Sequence, residues 1–220
     1  MKLKDVIYTI VIVIFSITCG IISNDYIIGT IILATGLLNS YYASNGRIIN
    51  YVFGAIYCLF VAYVSFVNGL YGLAGLSILV YFPSQIMGYI SWKKHMNDDE
   101  VEAKAFTFKK AVIIIISCIV GSFIFGYLLS LIPGQRLAFL DSSSNIINLC
   151  AVILMNFRYR EAWMIWLFNN TIDLIIWIIN TVQGTPNSIM MLLVSIGFMV
   201  INFYGLYMWI KNTKKKNIVK

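Results

Sequence analysis

Residues 161–182 read EAWMIWLFNNTIDLIIWIINTV. The stretch holds no Lys, Arg or Pro. As an α-helix it would run about 33 Å, enough to cross the hydrocarbon core of a bilayer. Its polar and indole residues are not scattered. Trp163, Trp166, Asn170, Asp173, Trp177 and Asn180 step by three, four, three, four and three. At about 100° per residue they fall within an arc of roughly 100°. The rest of the segment is mostly Ile, Leu, Met and Phe. One face therefore carries indoles, amides and a carboxylate, and the other faces lipid or packed helices. Polar groups at membrane depth are costly and turn toward protein or water, so this helix asks for companions.

The rest of the chain supplies them. Segments of the same kind can be drawn at 6–23, 26–44, 48–67, 70–91, 111–131, 137–157 and 187–210. With 161–182 they make about eight transmembrane helices. Turn chemistry separates them: Ser23-Asn24-Asp25, Ser44-Asn45-Gly46, Asn68-Gly69, Pro133-Gly134 and Gln183-Gly184-Thr185-Pro186. Only Lys93 to Lys110 reads as a sizeable soluble loop, and His95 within it as a solvated residue. The composition agrees. The 220 residues are 60% hydrophobic and 11% charged, against about 25% charged in a soluble domain. Mean hydropathy is +0.84. Nine acidic and sixteen basic residues cannot cover a soluble surface, and the aromatic content excludes disorder.

Net charge is +7, but its placement argues for topology and against a nucleic-acid partner. If the segments alternate, fifteen of the sixteen Lys and Arg fall on one side, from Lys2, Lys4 and Arg47 to Lys220. Arg136 alone falls on the other. The positive-inside rule then puts both termini in the cytoplasm. The basic stretch that begins at Lys211 can also touch anionic lipid headgroups. The N-terminal segment has a signal-peptide-like Lys2, Lys4 and apolar run but no small-residue cleavage site, so it reads as a retained helix.

The two halves of the chain resemble each other. Gly88-Tyr89-Ile90-Ser91-Trp92-Lys93 and Gly205-Leu206-Tyr207-Met208-Trp209-Ile210-Lys211 both read Gly-x-x-x-Trp followed by Lys. The third segment opens after Arg47 and the seventh after Arg160. Segments two to four would match segments six to eight. The offset of four helices keeps both halves in the same direction, a parallel repeat about an axis along the membrane normal. The fifth segment is then a linker and the first is extra.

Other segments carry polar residues too: Asp141, Ser144, Asn145 and Asn148 on one face of the sixth; Tyr81, Ser84, Gln85 and Tyr89 around Pro83 in the fourth; Asn39, Ser40 and Tyr42 in the second; Asn50, Tyr51 and Tyr57 in the third. Proline inside a membrane helix frees a carbonyl and permits a kink. A lone Asn of this kind is more often interhelical glue. The stripe on 161–182 is more than glue, because indoles stack on flat rings and amides bond hydroxyls and carboxamides. It describes a site for a planar, hydrogen-bonding solute, and Asp173 with the indoles would suit a cationic ring. No phosphate loop, HExxH or GxSxG motif is present. Cys19, Cys58, Cys118 and Cys150 are isolated in apolar runs, so neither a metal nor a cofactor is expected. The polar residues run through the thickness of the membrane, which suits a path and not an enzyme's reaction centre.

Three of these stretches resemble one family. Trp163-x-x-Trp166-x-x-x-Asn170 is similar to the motif of PnuC-type transporters, which carry nicotinamide riboside. The run Tyr81-Phe82-Pro83-Ser84-Gln85-Ile86-Met87-Gly88-Tyr89-x-x-Trp92-Lys93-Lys94 resembles the family's first-half signature, and Asn50-Tyr51-x-x-Gly54 opens its third helix. The resemblance covers about 26–211. It implies a fold like that of full-length SWEET sugar transporters, two three-helix bundles joined by a linking helix. It also implies facilitated diffusion made one-way by phosphorylation of the solute inside the cell. By matching positions, Trp166 stacks on the solute, Asn170 bonds to it, and Gln85 faces them from the other bundle.

The expectation is thus an all-α polytopic membrane protein. Its parts are an extra helix (1–24), a first bundle (25–94), loop and linker (95–132), a second bundle (133–211) and a basic tail (212–220). The substrate site would comprise Trp166, Asn170, Gln85, Trp163, Asp173, Asn148, Asn39 and Tyr81. Nicotinamide riboside in the bacterial inner membrane is the first reading. Thiamine or another nucleoside, proton coupling through Asp173, and a non-transporting membrane sensor or enzyme stay open, as does a homo-oligomeric state.

Overall fold

The computed structural model describes residues 3–67, 71–131, 138–184 and 188–218. The turns expected at Asn68-Gly69, Pro133-Gly134 and Thr185-Pro186, and the side assigned to Arg136, lie outside the described residues. The helices are α1 (Leu3–Ile22), α2 (Ile28–Ser44), α3 (Asn50–Val67), α4 (Tyr71–Leu76), α5 (Phe82–Lys93), α6 (Phe108–Ser130), α7 (Ala138–Asn156), α8 (Ala162–Val182) and α9 (Ser188–Ile218). A small antiparallel hairpin, β1 (Met96–Asn97) and β2 (Glu100–Val101), interrupts the all-helical pattern. Among the described residues α1, α6, α7, α8 and α9 are each long and apolar enough to cross a membrane.

The fourth segment is one helical run in three pieces. Between α4 and α5 lies a π-helical turn, Ser77–Tyr81, with Pro83 in the first turn of α5. Proline has no N–H to return to the preceding turn, and its ring crowds that turn. The kink expected at Pro83 is therefore expressed as a widened turn just before it, a feature common at functional sites.

Packing follows a ring. α2 lies on α3, α3 on α4 and α5, α5 on α7, α7 on α8, α8 on α9, and α9 returns to α2. α6 lies against α7, and α1 against α2 and α9. Ile113, Ile116, Val120 and Ile124 of α6 are exposed, as on a helix bathed in lipid.

Contacts gather the basic residues at one end, called here the basic face. Lys4 donates to the Tyr204 hydroxyl at 2.9 Å. Arg47 pairs with Asp5 at 3.6 Å and Asp99 at 2.8 Å. Arg160 donates to Thr213 Oγ1 at 3.0 Å. At the opposite end Ser23 Oγ meets Met190 Sδ at 3.5 Å.

The largest fully buried side chains are Trp92, Trp163 and Trp209, near the basic face. They sit in one cluster with Ala43, Tyr51, Leu154, Met155 and Ala162. The arrangement is reciprocal. The Trp92 indole donates to the Met155 carbonyl at 3.0 Å, and the Trp209 indole donates to the Ala43 carbonyl at 3.1 Å. Gly88 lets Tyr51 approach α5, and Gly205 lets Trp163 approach α9; a Cβ at either would overlap the ring.

Three features differ from the sequence expectation. α9 continues to Ile218, because no Gly or Pro follows Gly205 and Lys favours helix; the basic tail is a helical extension. Cys118 and Cys150, isolated in sequence, meet with their sulfurs 3.1 Å apart between α6 and α7. The Lys93–Lys110 loop is built and not merely solvated: it contains the hairpin, and Val101 is buried.

Candidate functional site

α8 presents its stripe to the ring interior, but the members have separate tasks. Trp163 is fully buried, 0% exposed. Its ring meets Trp166 edge-on at 5.3 Å and lies 6.2 Å from Trp209. Trp163 shares an arc with Trp166 but lies under Gly205, its indole N–H without a hydrogen-bond partner among the described residues, and it forms a floor with Trp92 and Trp209.

Trp166, one turn further in, is half-buried. Its indole N–H donates to Asn148 Oδ1 of α7 at 3.0 Å. Asn148 also hydrogen-bonds Tyr81 at the end of the π turn. One amide therefore joins α8, α7 and the π segment and fixes the plane of the indole. Asn170 follows Trp166 by one turn and is only 6% exposed. Its Nδ2 has no hydrogen-bond partner among the described residues. A buried donor left unmade costs about 1–3 kcal/mol, so this amide is poised to meet an acceptor brought by a ligand.

Asp173 lies about 10 Å beyond Trp166 along the axis, at 1.5 Å per residue. Its Oδ1 accepts from the Ser144 hydroxyl of α7, and its Oδ2 from Asn169 Nδ2 at 2.9 Å. It lies within electrostatic reach of Tyr57 and Tyr81. The side chain ties α7 to α8 and places a carboxyl group inside the ring. Neither residues 48–92 nor residues 161–210 contain a Lys or Arg, and residues 137–157 contain none either. The helices that build the site bring no cation into it.

Asn39 and Gln85 form a second group toward the basic face. A Cβ on Gly54 would overlap both Gln85 Oε1 and Asn39 Nδ2, so the two side chains cross over bare backbone of α3. Asn39 also donates to the Asn50 carbonyl at 2.8 Å, which ties α2 to α3. Gln85 follows Tyr81 by four residues on the same helix face, linking the two groups. Trp166, Asn170, Asp173, Asn148 and Tyr81 are thus brought together, and Gln85 and Asn39 lie a turn away. Asp141 falls in the first turn of α7, its side chain outside the described residues.

Three residues escaped the sequence reading. Asn169 lies just outside the stripe's arc, yet its spacing of four from Asp173 is a helical-pair signal. Asn156 donates to the Ser84 carbonyl at 2.9 Å and lies over Gly88; extending the α7 polar face by two turns would reach it. Asn202, buried on α9, occupies the position that Gln85 holds when the two Gly-x-x-x-Trp stretches are aligned.

Comparison with known proteins bears on this site. Residues 26–212 match the family described as nicotinamide mononucleotide transporter. The nicotinamide riboside transporter PnuC of Neisseria mucosa is 28% identical over 201 residues, covering 89% of this chain and 76% of the relative. That of Haemophilus influenzae is 32% identical over 187 residues, covering 83% and 79%. A crystal structure of the vitamin B3 transporter PnuC superposes with a TM-score of 0.83 at 27% identity, over 98% of this chain and 94% of that one. The family match begins just before α2, so α1 lies outside it, whereas the structural superposition covers nearly the whole chain.

Proposed function

The chain belongs to the nicotinamide mononucleotide transporter family, a multi-pass membrane protein family, and from that premise we propose that it carries nicotinamide riboside across the bacterial inner membrane by facilitated diffusion. The carrying observation is the buried, unpartnered Asn170 amide one turn from an indole whose plane Asn148 fixes. The pyridinium ring stacks on Trp166, and its carboxamide or ribose accepts from Asn170 and bonds Gln85. Asp173 balances the ring's positive charge. Trp163 supports Trp166 from behind without touching the solute.

The family description speaks of a mononucleotide, whereas the relatives' names speak of the riboside. The site chemistry supports the riboside. A phosphate would bring about two negative charges beside Asp173, into helices with no Lys or Arg to receive it. Desolvating such a charge without a partner is prohibitive.

The mechanism we infer treats α2–α3–α5 and α7–α8–α9 as two three-helix bundles, α6 as the linker and α1 as an addition, eight crossings in all. The reciprocal Trp92 and Trp209 bonds support this reading. The basic face is cytoplasmic, with both termini there. Rocking of one bundle against the other opens the path to each side in turn, and phosphorylation in the cell traps the solute. Asp173 is already engaged by Ser144 and Asn169, and a passive role is preferred here to proton coupling.

Calorimetric titration of the purified protein with nicotinamide riboside, nicotinamide mononucleotide and thiamine tests the assignment. Saturable binding of the riboside, at least tenfold tighter than of the other two, is expected. Thiamine binding tighter than the riboside would move the substrate to another vitamin, and tight mononucleotide binding would overturn the charge argument.

A further inference from the structure

The loop between α5 and α6 is attached to both halves at matched places. Two residues past the end of α2 lies Gly46, φ +67°, and two past the end of α7 lies Arg158, φ +69°. Each left-handed residue closes its helix in the same way. The Gly46 amide returns to the Ala43 carbonyl at 2.9 Å, and the Arg158 amide to the Met155 carbonyl at 2.8 Å. Those two carbonyls are the ones that also receive the exchanged indoles of Trp209 and Trp92. The carbonyls of Gly46 and Arg158 themselves face the loop. Gly46 O accepts from the Val101 amide at 3.0 Å, and Arg158 O accepts from the Lys104 amide at 2.7 Å.

The two attachments are unequal. On the α7–α8 side Lys104 bonds twice, its carbonyl also accepting from the Arg160 amide at 3.0 Å, and the Phe106 ring lies 4.3 Å from that of Tyr159. On the α2–α3 side stand the single backbone bond, a donation from Arg47 Nη1 to the Asp99 carbonyl at 3.3 Å and the Arg47–Asp99 pair, whose carboxylate is largely exposed. Exposed pairs of this kind contribute little. Beneath the loop, Val101 packs with Trp92, Trp163 and Trp209, the floor that separates the polar site from the basic face. A path that opens to this face must part that floor, and the floor cannot part while Val101 bridges the halves.

We propose that the loop is the latch of the cytoplasmic gate, released at the Gly46–Val101 and Arg47–Asp99 seam while it stays with α7 and α8. Arg47 extends the latch to α1 through Asp5, which gives the extra helix a task. The inference rests on the transport reading above and adds which seam opens.

The test is a reversible staple. A Cβ on Gly46 would stand 3.6 Å from the Glu100 Cβ, within disulfide reach. The double variant Gly46→Cys/Glu100→Cys, with Cys19, Cys58, Cys118 and Cys150 replaced by Ala, is reconstituted in liposomes. Radiolabelled riboside uptake is measured with dithiothreitol and after copper-phenanthroline oxidation, and binding by calorimetry. The expected result is at least tenfold slower uptake when oxidised, restored by reduction, with binding kept in both states. Unchanged uptake with the disulfide formed overturns the latch. A reduced variant that neither binds nor transports, beside a cysteine-free parent that also does neither, overturns the transport reading instead. If Gly46→Cys alone disables the reduced protein through its left-handed backbone, Val101→Pro, which deletes the bridging N–H, is read in its place. Labelling of Gln85→Cys by an impermeant maleimide from the cytoplasmic side should then speed up at least fivefold; an unchanged rate overturns the latch.

Discussion

Asn148 is where the account is most exposed to test. Its Oδ1 accepts the Trp166 indole at 3.0 Å, and its side chain also bonds Tyr81. Asn148→Leu conserves volume, so no cavity opens, but both bonds go. Each is worth about 1 kcal/mol net, and a half-buried indole N–H left without a partner adds up to about 1 kcal/mol. If that roughly 2–3 kcal/mol falls on the state that binds the solute, the dissociation constant rises by roughly 30- to 140-fold. A double-mutant cycle isolates the Trp166 bond. Trp166→Phe keeps an aromatic face but has no N–H, so Asn148→Leu should cost at least about 1 kcal/mol less in that background. Calorimetry on the four proteins gives the coupling energy. An unchanged dissociation constant for Asn148→Leu, or a coupling energy of zero within error, would refute the claim that Asn148 orients the indole.

Other outcomes follow from the same geometry. Asp173→Asn removes the charge but keeps a similar shape, so the preference for the cationic riboside over its neutral dihydro form should fall at least threefold in competition uptake; an unchanged ratio removes Asp173 from charge recognition. Gly205→Ala drives a methyl into the Trp163 ring, and overpacking of this kind costs about 1–3 kcal/mol, visible as a lower Tm in detergent. Trp163→Phe should change solute affinity less than threefold because Trp163 has no accessible surface, whereas Trp166→Ala should cost about 1–3 kcal/mol of stacking, the range for a base on an aromatic platform.

Periodicity in the sequence located α8 to within a residue, 161–182 against Ala162–Val182, and placed its polar face. It could not give depth. Trp163 and Trp166 share an arc, yet Gly205, forty-two residues after Trp163, draws one into the core and leaves the other half-open. Pro83 announced a kink, but that the kink would be a π turn ending at Tyr81 depends on how α3 and α5 pack. The Gly-x-x-x-Trp repeat was legible; the exchange of indoles between the halves was not, since Trp92 and Met155 are distant in the chain. The loop's polar composition suggested solvent, because its anchoring is made by backbone amides, which side-chain chemistry does not reveal. Cys118 and Cys150 meet for the same reason that they looked isolated: they lie on different helices.

Counterflow in proteoliposomes tests the central claim most directly. Vesicles loaded with unlabelled nicotinamide riboside and diluted into a trace of labelled riboside should take up label transiently, with no imposed gradient of protons and no change on adding a protonophore. Trp166→Ala and Asn170→Leu should reduce the peak at least tenfold. Label uptake no greater than in protein-free vesicles, or a peak that survives both substitutions, would contradict the account.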